Sequence, residues 1–202
     1  MAKKKLDTDN STEEKIMEAA RKVFTQKGYA GTRTRDIVEE AGINLALLNY
    51  YFRSKEKLFE IIMTEKVQQL FGVIAPIVMD PSSSLDEKVA KISEGYLTML
   101  SLNPDLPLFV MSEIRNNPEF FASKIKVMDL ANSTFIKQLH EARPDIHPIH
   151  FLMNILGLCV FPFISKPVFQ TMGILDEQMF KKIIEERKAF IPRWIKAMLN
   201  EK

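Results

Sequence analysis

The stretch Thr32-Arg33-Thr34-Arg35-Asp36-Ile37-Val38-Glu39-Glu40-Ala41-Gly42-Ile43-Asn44-Leu45-Ala46-Leu47-Leu48-Asn49-Tyr50-Tyr51-Phe52-Arg53-Ser54-Lys55-Glu56-Lys57-Leu58 decides the fold. Thr32 can cap a short helix with Asp36 in its first turn, Ile37, Val38 and Ala41 facing inward, and Gly42 as its stop. Asn44 can cap a second short helix. Ile43 before that cap and Leu48 after it match a hydrophobic staple, and Phe52 closes the apolar stripe. Upstream, Ser11 and Glu14 form a capping-box pattern. Ile16, Ala20, Val23 and Phe24 make one face of a longer helix that Gly28 ends. Two short helices joined by a glycine turn and backed by a longer one describe a helix-turn-helix, whose second short helix enters the major groove of DNA. Any small three-helix bundle shares that outline.

Outward from this segment the apolar spacing stays at three and four, so the chain reads as all-α with about nine helices. Ser54 caps a helix from Lys55 to near Val78, bent or interrupted around Pro76, and Pro81-Ser82-Ser83-Ser84 is a linker. Ser84 with Glu87 opens a helix to about Leu102. Asn103-Pro104 and Asn117-Pro118 each place a cap before a first-turn proline, the second helix ending before Pro144. A helix from about Pro148 to Met172 and one from Glu177 to Leu199, capped by Asp176, complete the chain. Pro162, Pro167 and Pro192 predict kinks in these two.

The 202 residues carry 28 Lys and Arg against 26 Asp and Glu, so net charge does not announce a nucleic-acid ligand. Its distribution says more, because residues 20–58 hold eight basic side chains against four acidic ones. No run of about 18 consecutive apolar residues is present, and the N-terminus has no apolar core for a secretory signal, so a cytoplasmic protein without a membrane partner is expected. The single cysteine, Cys159, excludes a disulfide framework within one chain. Flanked by Leu158 and Val160, it reads as buried and structural. His147 and His150 lack further ligands and read as surface or capping residues, so no metal and no cofactor are expected. Lys3, Lys4 and Lys5 read as a solvated tail, with a minor-groove or phosphate-binding arm as the alternative. No phosphate-cradling glycine loop, HExxH or nucleophile elbow is present, which argues against an enzyme.

From Phe24, Gly28 and Tyr29 through Leu58, and over about residues 12–60 without a gap, the sequence closely resembles the DNA-binding domain of the TetR family of transcriptional regulators. The resemblance implies that residues 1–54 form the helix-turn-helix DNA-binding domain and residues 55–202 a helical effector-binding and dimerisation domain. It implies that Thr34 and Arg35 contact phosphate, with a base edge as a further contact, that Asn44, Leu45, Ala46 and Leu47 face bases, and that Asn49, Tyr50 and Tyr51 lie against the DNA. Lys55 matches a phosphate-contacting lysine. Asn49 stands where the family usually has tyrosine. Leu45 and Leu47 replace commonly polar or small residues, which favours apolar contacts, thymine methyls among them. Leu48 and Phe52 already fill the buried stripe, leaving Tyr50 and Tyr51 for other faces.

The resemblance further implies a homodimer on a palindromic double-stranded operator, with Phe151–Val168 and Phe180, Ile183, Ile184, Phe190, Trp194 and Ile195 supplying an apolar interface. These residues could instead bury each other within one chain. A small apolar or amphipathic ligand is expected among the middle helices. Phe71, Tyr96, Met99, Met111, Met128, Asn132, Phe135 and Asn154 are its candidate lining, with ordinary core packing as the alternative. The expectation is thus a repressor released from its operator by that ligand. The alternative is a DNA-binding regulator controlled by abundance or a protein partner.

Overall fold

The computed structural model describes residues 2–125 and 130–201. Among these there are eleven α-helices, one 3-10 turn and no strand. They fall into two compact units, residues 2–68 with 109–121, and residues 69–108 with the described part of 122–201.

The first unit is built on α1 (Ala2–Gly31), which buries Ile16, Met17, Ala19, Ala20, Val23 and Phe24 on one face. Its helical path breaks at Gly28 (φ 66°, ψ 175°), a conformation that a side chain would strain. The helix begins well before Ser11, the expected start, because residues 2–10 contain neither glycine nor proline. In α2 (Thr34–Ala41) the expected cap Thr32 is buried, and its hydroxyl donates to the Gly28 carbonyl at 2.7 Å. The cap position falls to Arg33, whose backbone N–H donates to the Asp36 carboxylate at 2.7 Å. Gly42 (φ 64°, ψ 35°) ends α2 in the left-handed region, and the Ile43 N–H returns to the Val38 carbonyl at 3.0 Å. Then α3 (Leu45–Phe52) starts on Asn44, whose Oδ1 accepts the Leu47 N–H at 2.9 Å. α2 packs on α1 and α3 on α2, and Ile37, Leu48 and Phe52 are buried, as are Leu58, Phe59, Ile62 and Met63 of α4 (Lys55–Gly72).

The second unit contains α5 (Ile74–Met79), α6 (Leu85–Leu102), α9 (Thr134–Ala142), α10 (Ile149–Thr171) and α11 (Glu177–Asn200). Between them in sequence lie α7 (Leu106–Asn116), α8 (Pro118–Ile125) and the 3-10 turn Leu130–Asn132. α6 is the hub and packs on α5, α9, α10 and α11. The capping box of Ser84 and Glu87 opens it, as its sequence predicts. Lys88 on α6 is fully buried, its ammonium donating to Thr134 Oγ1 and Gln138 Oε1 at 2.8 Å each. Burial lowers its pKa.

Eleven helices replace the expected nine for two local reasons. Pro76 has no N–H to give the Gly72 carbonyl, and the helix divides there into α4 and α5. Ser133 caps a new helix, its hydroxyl accepting the Ile136 N–H at 3.3 Å, so 118–144 is not continuous. Asn117-Pro118 does begin a helix. Asn103 instead closes α6, and α7 starts at Leu106 rather than at Pro104.

Pro162 lies inside α10 and cannot donate to the Leu158 carbonyl one turn back. The Arg187 guanidinium of α11 takes that place, Nη2 donating at 2.8 Å and Nε at 3.2 Å, while its face lies 5.2 Å from the Trp194 ring centre. Arg187→Ala should therefore cost about 1–3 kcal/mol by stranding the carbonyl. In a Pro162→Ala background, where an N–H returns, the same change should cost less than about 1 kcal/mol. Denaturant titration of the four proteins checks this, and equal costs in both backgrounds would refute the pairing.

Candidate nucleic-acid interface

An eight-residue helix has little more than two turns, and the four-residue spacing of Leu48 and Phe52 turns both into the core at 0% and 5% exposure. That geometry puts Leu45, Ala46, Leu47, Asn49 and Tyr50 outside, with Tyr50 73% exposed. Tyr51 is half-buried and meets Tyr50 edge to face, ring centres 5.1 Å apart. Asn44 is exposed with its amide oxygen committed to the cap. On α2, Thr34 is half-buried and Arg35 exposed. Nine of the ten predicted DNA-contact positions thus lie on α2, α3 and the cap of α3.

Lys55 is placed differently. Its ammonium donates to the carbonyls of Tyr29 and Thr32 at 3.1 and 3.0 Å and lies 4.0 Å from the Tyr29 ring centre. It ties the end of α1 to the start of α4 around the helix-turn-helix. The Tyr29 hydroxyl donates to Glu56 at 2.8 Å. Burial first, and this carboxylate second, push the phenol up to about 12.

Four other cations of this unit are paired. Arg21 meets Glu65 at 2.9 Å, Lys22 meets Glu40 at 2.6 Å, Lys27 meets Asp36 at 2.9 Å, and Lys57 meets Glu60 at 3.2 Å. The Arg33 N–H and the Lys27 ammonium hold the Asp36 carboxyl below the usual range. Arg33, Arg35 and Arg53 are exposed and make no ion pair among the described residues. Sequence reasoning had singled out only Arg35. The signal for the other two was their position, one residue before α2 and one after α3. Arg53 has φ 62° and ψ −43°, a positive φ that non-glycine residues avoid.

The candidate ligand residues are not brought together. Tyr96, Met99 and Phe135 are buried in the core of the second unit, Phe71 is half-buried, and Asn132 and Asn154 are exposed. Met111 is 46% exposed and belongs to the first unit, and Met128 lies outside the described residues. Only Met99 lines a described hollow, an open groove of about 550 Å³ with Gln69, Val73, Glu94 and Leu102. A cleft of about 380 Å³ in the first unit lies between Tyr29, Glu56, Phe59 and Glu113, and burial raises the pKa of the Glu113 carboxyl. Burial pushes the Cys159 thiol up to about 12, consistent with an inert core cysteine. Among the described residues no group of three or more His, Cys, Asp or Glu is placed to hold a metal ion. His147 Nδ1 accepts the Ile149 N–H at 3.3 Å at the start of α10.

A short helix capped by Asn44, with Leu48 and Phe52 turned into the core and Leu45, Ala46, Leu47, Asn49 and Tyr50 outside, has the form of the second helix of a helix-turn-helix. Residues 16–62 match the sequence pattern of "Bacterial regulatory proteins, tetR family". The "Probable HTH-type transcriptional regulator YttP" of Bacillus subtilis is 24% identical over 192 residues, 90% of this chain and 92% of that protein. The HTH-type transcriptional repressor NicS of Pseudomonas putida is 35% identical over 89 residues, covering 43% and 42% of the two chains. The solved structure of the transcriptional regulator FadR of Bacillus subtilis, in complex with stearoyl-CoA, shares the fold with a TM-score of 0.60 at 16% identity, over 88% of this chain and 96% of that one. Residues 16–62 thus carry the sequence pattern of the TetR family, and over most of its length the chain is similar to a probable helix-turn-helix transcriptional regulator.

Lys55→Ala removes a charged donor from two backbone carbonyls and should destabilise the protein by about 1–2 kcal/mol. Arg35→Ala, at an exposed position without an ion pair, should leave thermal melting unchanged. Equal melting of the two variants would show that the Lys55 contacts do not hold the unit together.

Proposed function

We propose that this protein is a sequence-specific repressor, a homodimer that binds a palindromic operator in the cytoplasm and is released by a small apolar or amphipathic ligand. The observation that carries the DNA-reading part is the outward set Leu45, Ala46, Leu47, Asn49 and Tyr50 on a helix anchored by Leu48 and Phe52. In this reading residues 1–54 are the reader and 55–202 the effector and dimerisation body. Thr34, Arg35, Asn44 and Tyr51 complete the contact surface. Arg33, Arg35 and Arg53 clamp phosphates, and Lys55 acts chiefly by holding the reader together. The name of NicS supports repression.

The dimer reading rests on an apolar surface. α10 is long and apolar enough, by length and composition, to cross a bilayer, yet Phe151, Ile155, Cys159, Val160 and Phe163 are buried in the second unit's core. Met153, Phe161 and Val168 remain at least 60% exposed, with Phe190 and Trp194 of α11 also in solvent. A second copy would cover these side chains in a four-helix interface. Phe161→Glu should leave the monomer folded and shift sedimentation from dimer to monomer. A folded variant that remains dimeric would move the interface elsewhere.

The FadR complex with stearoyl-CoA supports an acyl-type amphipathic effector for this fold. Release requires that the ligand bind the DNA-bound form less tightly by the factor with which it weakens DNA binding, and a coupling of about 1–3 kcal/mol is ordinary. The second reading is a regulator controlled by abundance or a protein partner, with Tyr96 and Phe135 buried as ordinary core.

Selection from a random duplex DNA pool at near-physiological salt tests the function, because non-specific phosphate attraction fades there. The expected result is an enriched palindrome. Arg35→Ala and Tyr50→Ala should then weaken binding at least about tenfold with melting unchanged. Each arginine removed from a phosphate should lower the salt slope by about 0.9. Failure of a folded dimer to enrich any sequence would refute DNA reading.

A further inference from the structure

Eight residues, Leu45-Ala46-Leu47-Leu48-Asn49-Tyr50-Tyr51-Phe52, make up α3, and none is charged. Guanine is read in the major groove by a bidentate arginine or lysine and adenine by a bidentate asparagine or glutamine. α3 offers no cation. Of the two amides near it, Asn44 has its oxygen engaged by the Leu47 N–H and cannot present the paired acceptor and donor that adenine requires. Asn49 is the only exposed amide on the helix, and it suits adenine, the partner of thymine. Arg33 precedes α2, and Arg53 follows the last residue of α3, so neither lies on the outward face of the helix.

The groups left are aliphatic in the first turn of the helix, Leu45 to Leu47, and aromatic beyond it, Tyr50 and Tyr51. Leu45 is 43% and Leu47 36% exposed, with exposed Ala46 between them. In the major groove the apolar feature that distinguishes base pairs is the C5-methyl group of thymine. We propose that the protein reads its operator through C5-methyl groups, and therefore accepts 5-methylcytosine at positions where it requires thymine. This rests on the DNA-reading function proposed above. 5-Methylcytosine carries the same methyl on the same groove edge. It differs from thymine at C4, where an amino donor replaces a carbonyl acceptor, and its guanine partner carries a C6 carbonyl where adenine has an amino donor; a leucine side chain bonds to none of these, so the equivalence holds at pairs whose purine Asn49 does not read. An operator with cytosine at such a position would then be bound more tightly when methylated, so the methylation state of the DNA would tune occupancy.

The test begins with the palindrome selected by the full-length protein. At each selected thymine, three duplexes are compared with the parent: thymine replaced by uracil, by cytosine opposite guanine, and by 5-methylcytosine opposite guanine. Uracil should weaken binding about fourfold per contacted methyl, and about fifteenfold when one is removed from each half-site. Cytosine should weaken it at least as much, and 5-methylcytosine should restore affinity to within about twofold of thymine. Leu47→Ala should abolish the distinction between thymine and uracil at its position while melting is unchanged. Leu45→Ala serves in the same way should Leu47→Ala melt early. Sequence-specific binding that ignores uracil at every position would overturn the proposal and leave DNA reading intact. Binding that weakens with uracil but treats 5-methylcytosine like cytosine would also overturn it, since the C4 group would then be the feature read. Absence of any enriched sequence would remove the DNA-reading function and this proposal together.

Discussion

The burial of Leu48 and Phe52 is the constraint from which the first unit follows. Two inward side chains are the minimum that can fix an eight-residue helix in the core beside α2, and their spacing settles which of its other residues face solvent. Isolated helices of this length are unstable in water, so α3 exists because its neighbours pack on it and because Asn44 caps it. The Lys55 ammonium adds a clasp between the carbonyls of Tyr29 and Thr32 and the first turn of α4. Its charge stays on the protein's own backbone, and three arginines outside the ion-pair network remain available to an anionic partner.

Features set by a few neighbouring residues were legible in the sequence. The caps at Asn44, Ser84 and Asp176 and the left-handed stop at Gly42 are local chemistry, and each is found where the residue pattern places it. The outward face of α3 was legible too, because periodicity alone separates Leu48 and Phe52 from the residues between them. What was not legible depends on distant partners. Thr32 is a good cap by type, but its burial turns the hydroxyl toward Gly28. Lys55 finds partners 26 and 23 residues away, which no local pattern reports. The ligand candidates were chosen as apolar residues with a few polar ones on central helices, a description that fits core and pocket equally. Tyr96 and Phe135 proved to be core.

The second unit resolves its polar chemistry internally and leaves apolar surface outside. The buried Lys88 has a hydroxyl and an amide for its protons, and the carbonyl freed by Pro162 has Arg187. With the carbonyl opposite Pro162 satisfied, α10 presents Met153, Phe161 and Val168 on its exposed face. Gly95 lets α5 approach α6 closely, since a Cβ there would fall 2.7 Å from Val73 Cγ1.

Arg53 stands at the end of α3 with a left-handed φ, a conformation that glycine would adopt at lower cost and asparagine more readily. An arginine held there keeps a positive charge in solvent at the exit of α3 at a cost in backbone conformation that replacement by glycine would relieve, so the last turn of the helix is the one place among the described residues of this unit where stability and side-chain chemistry pull apart.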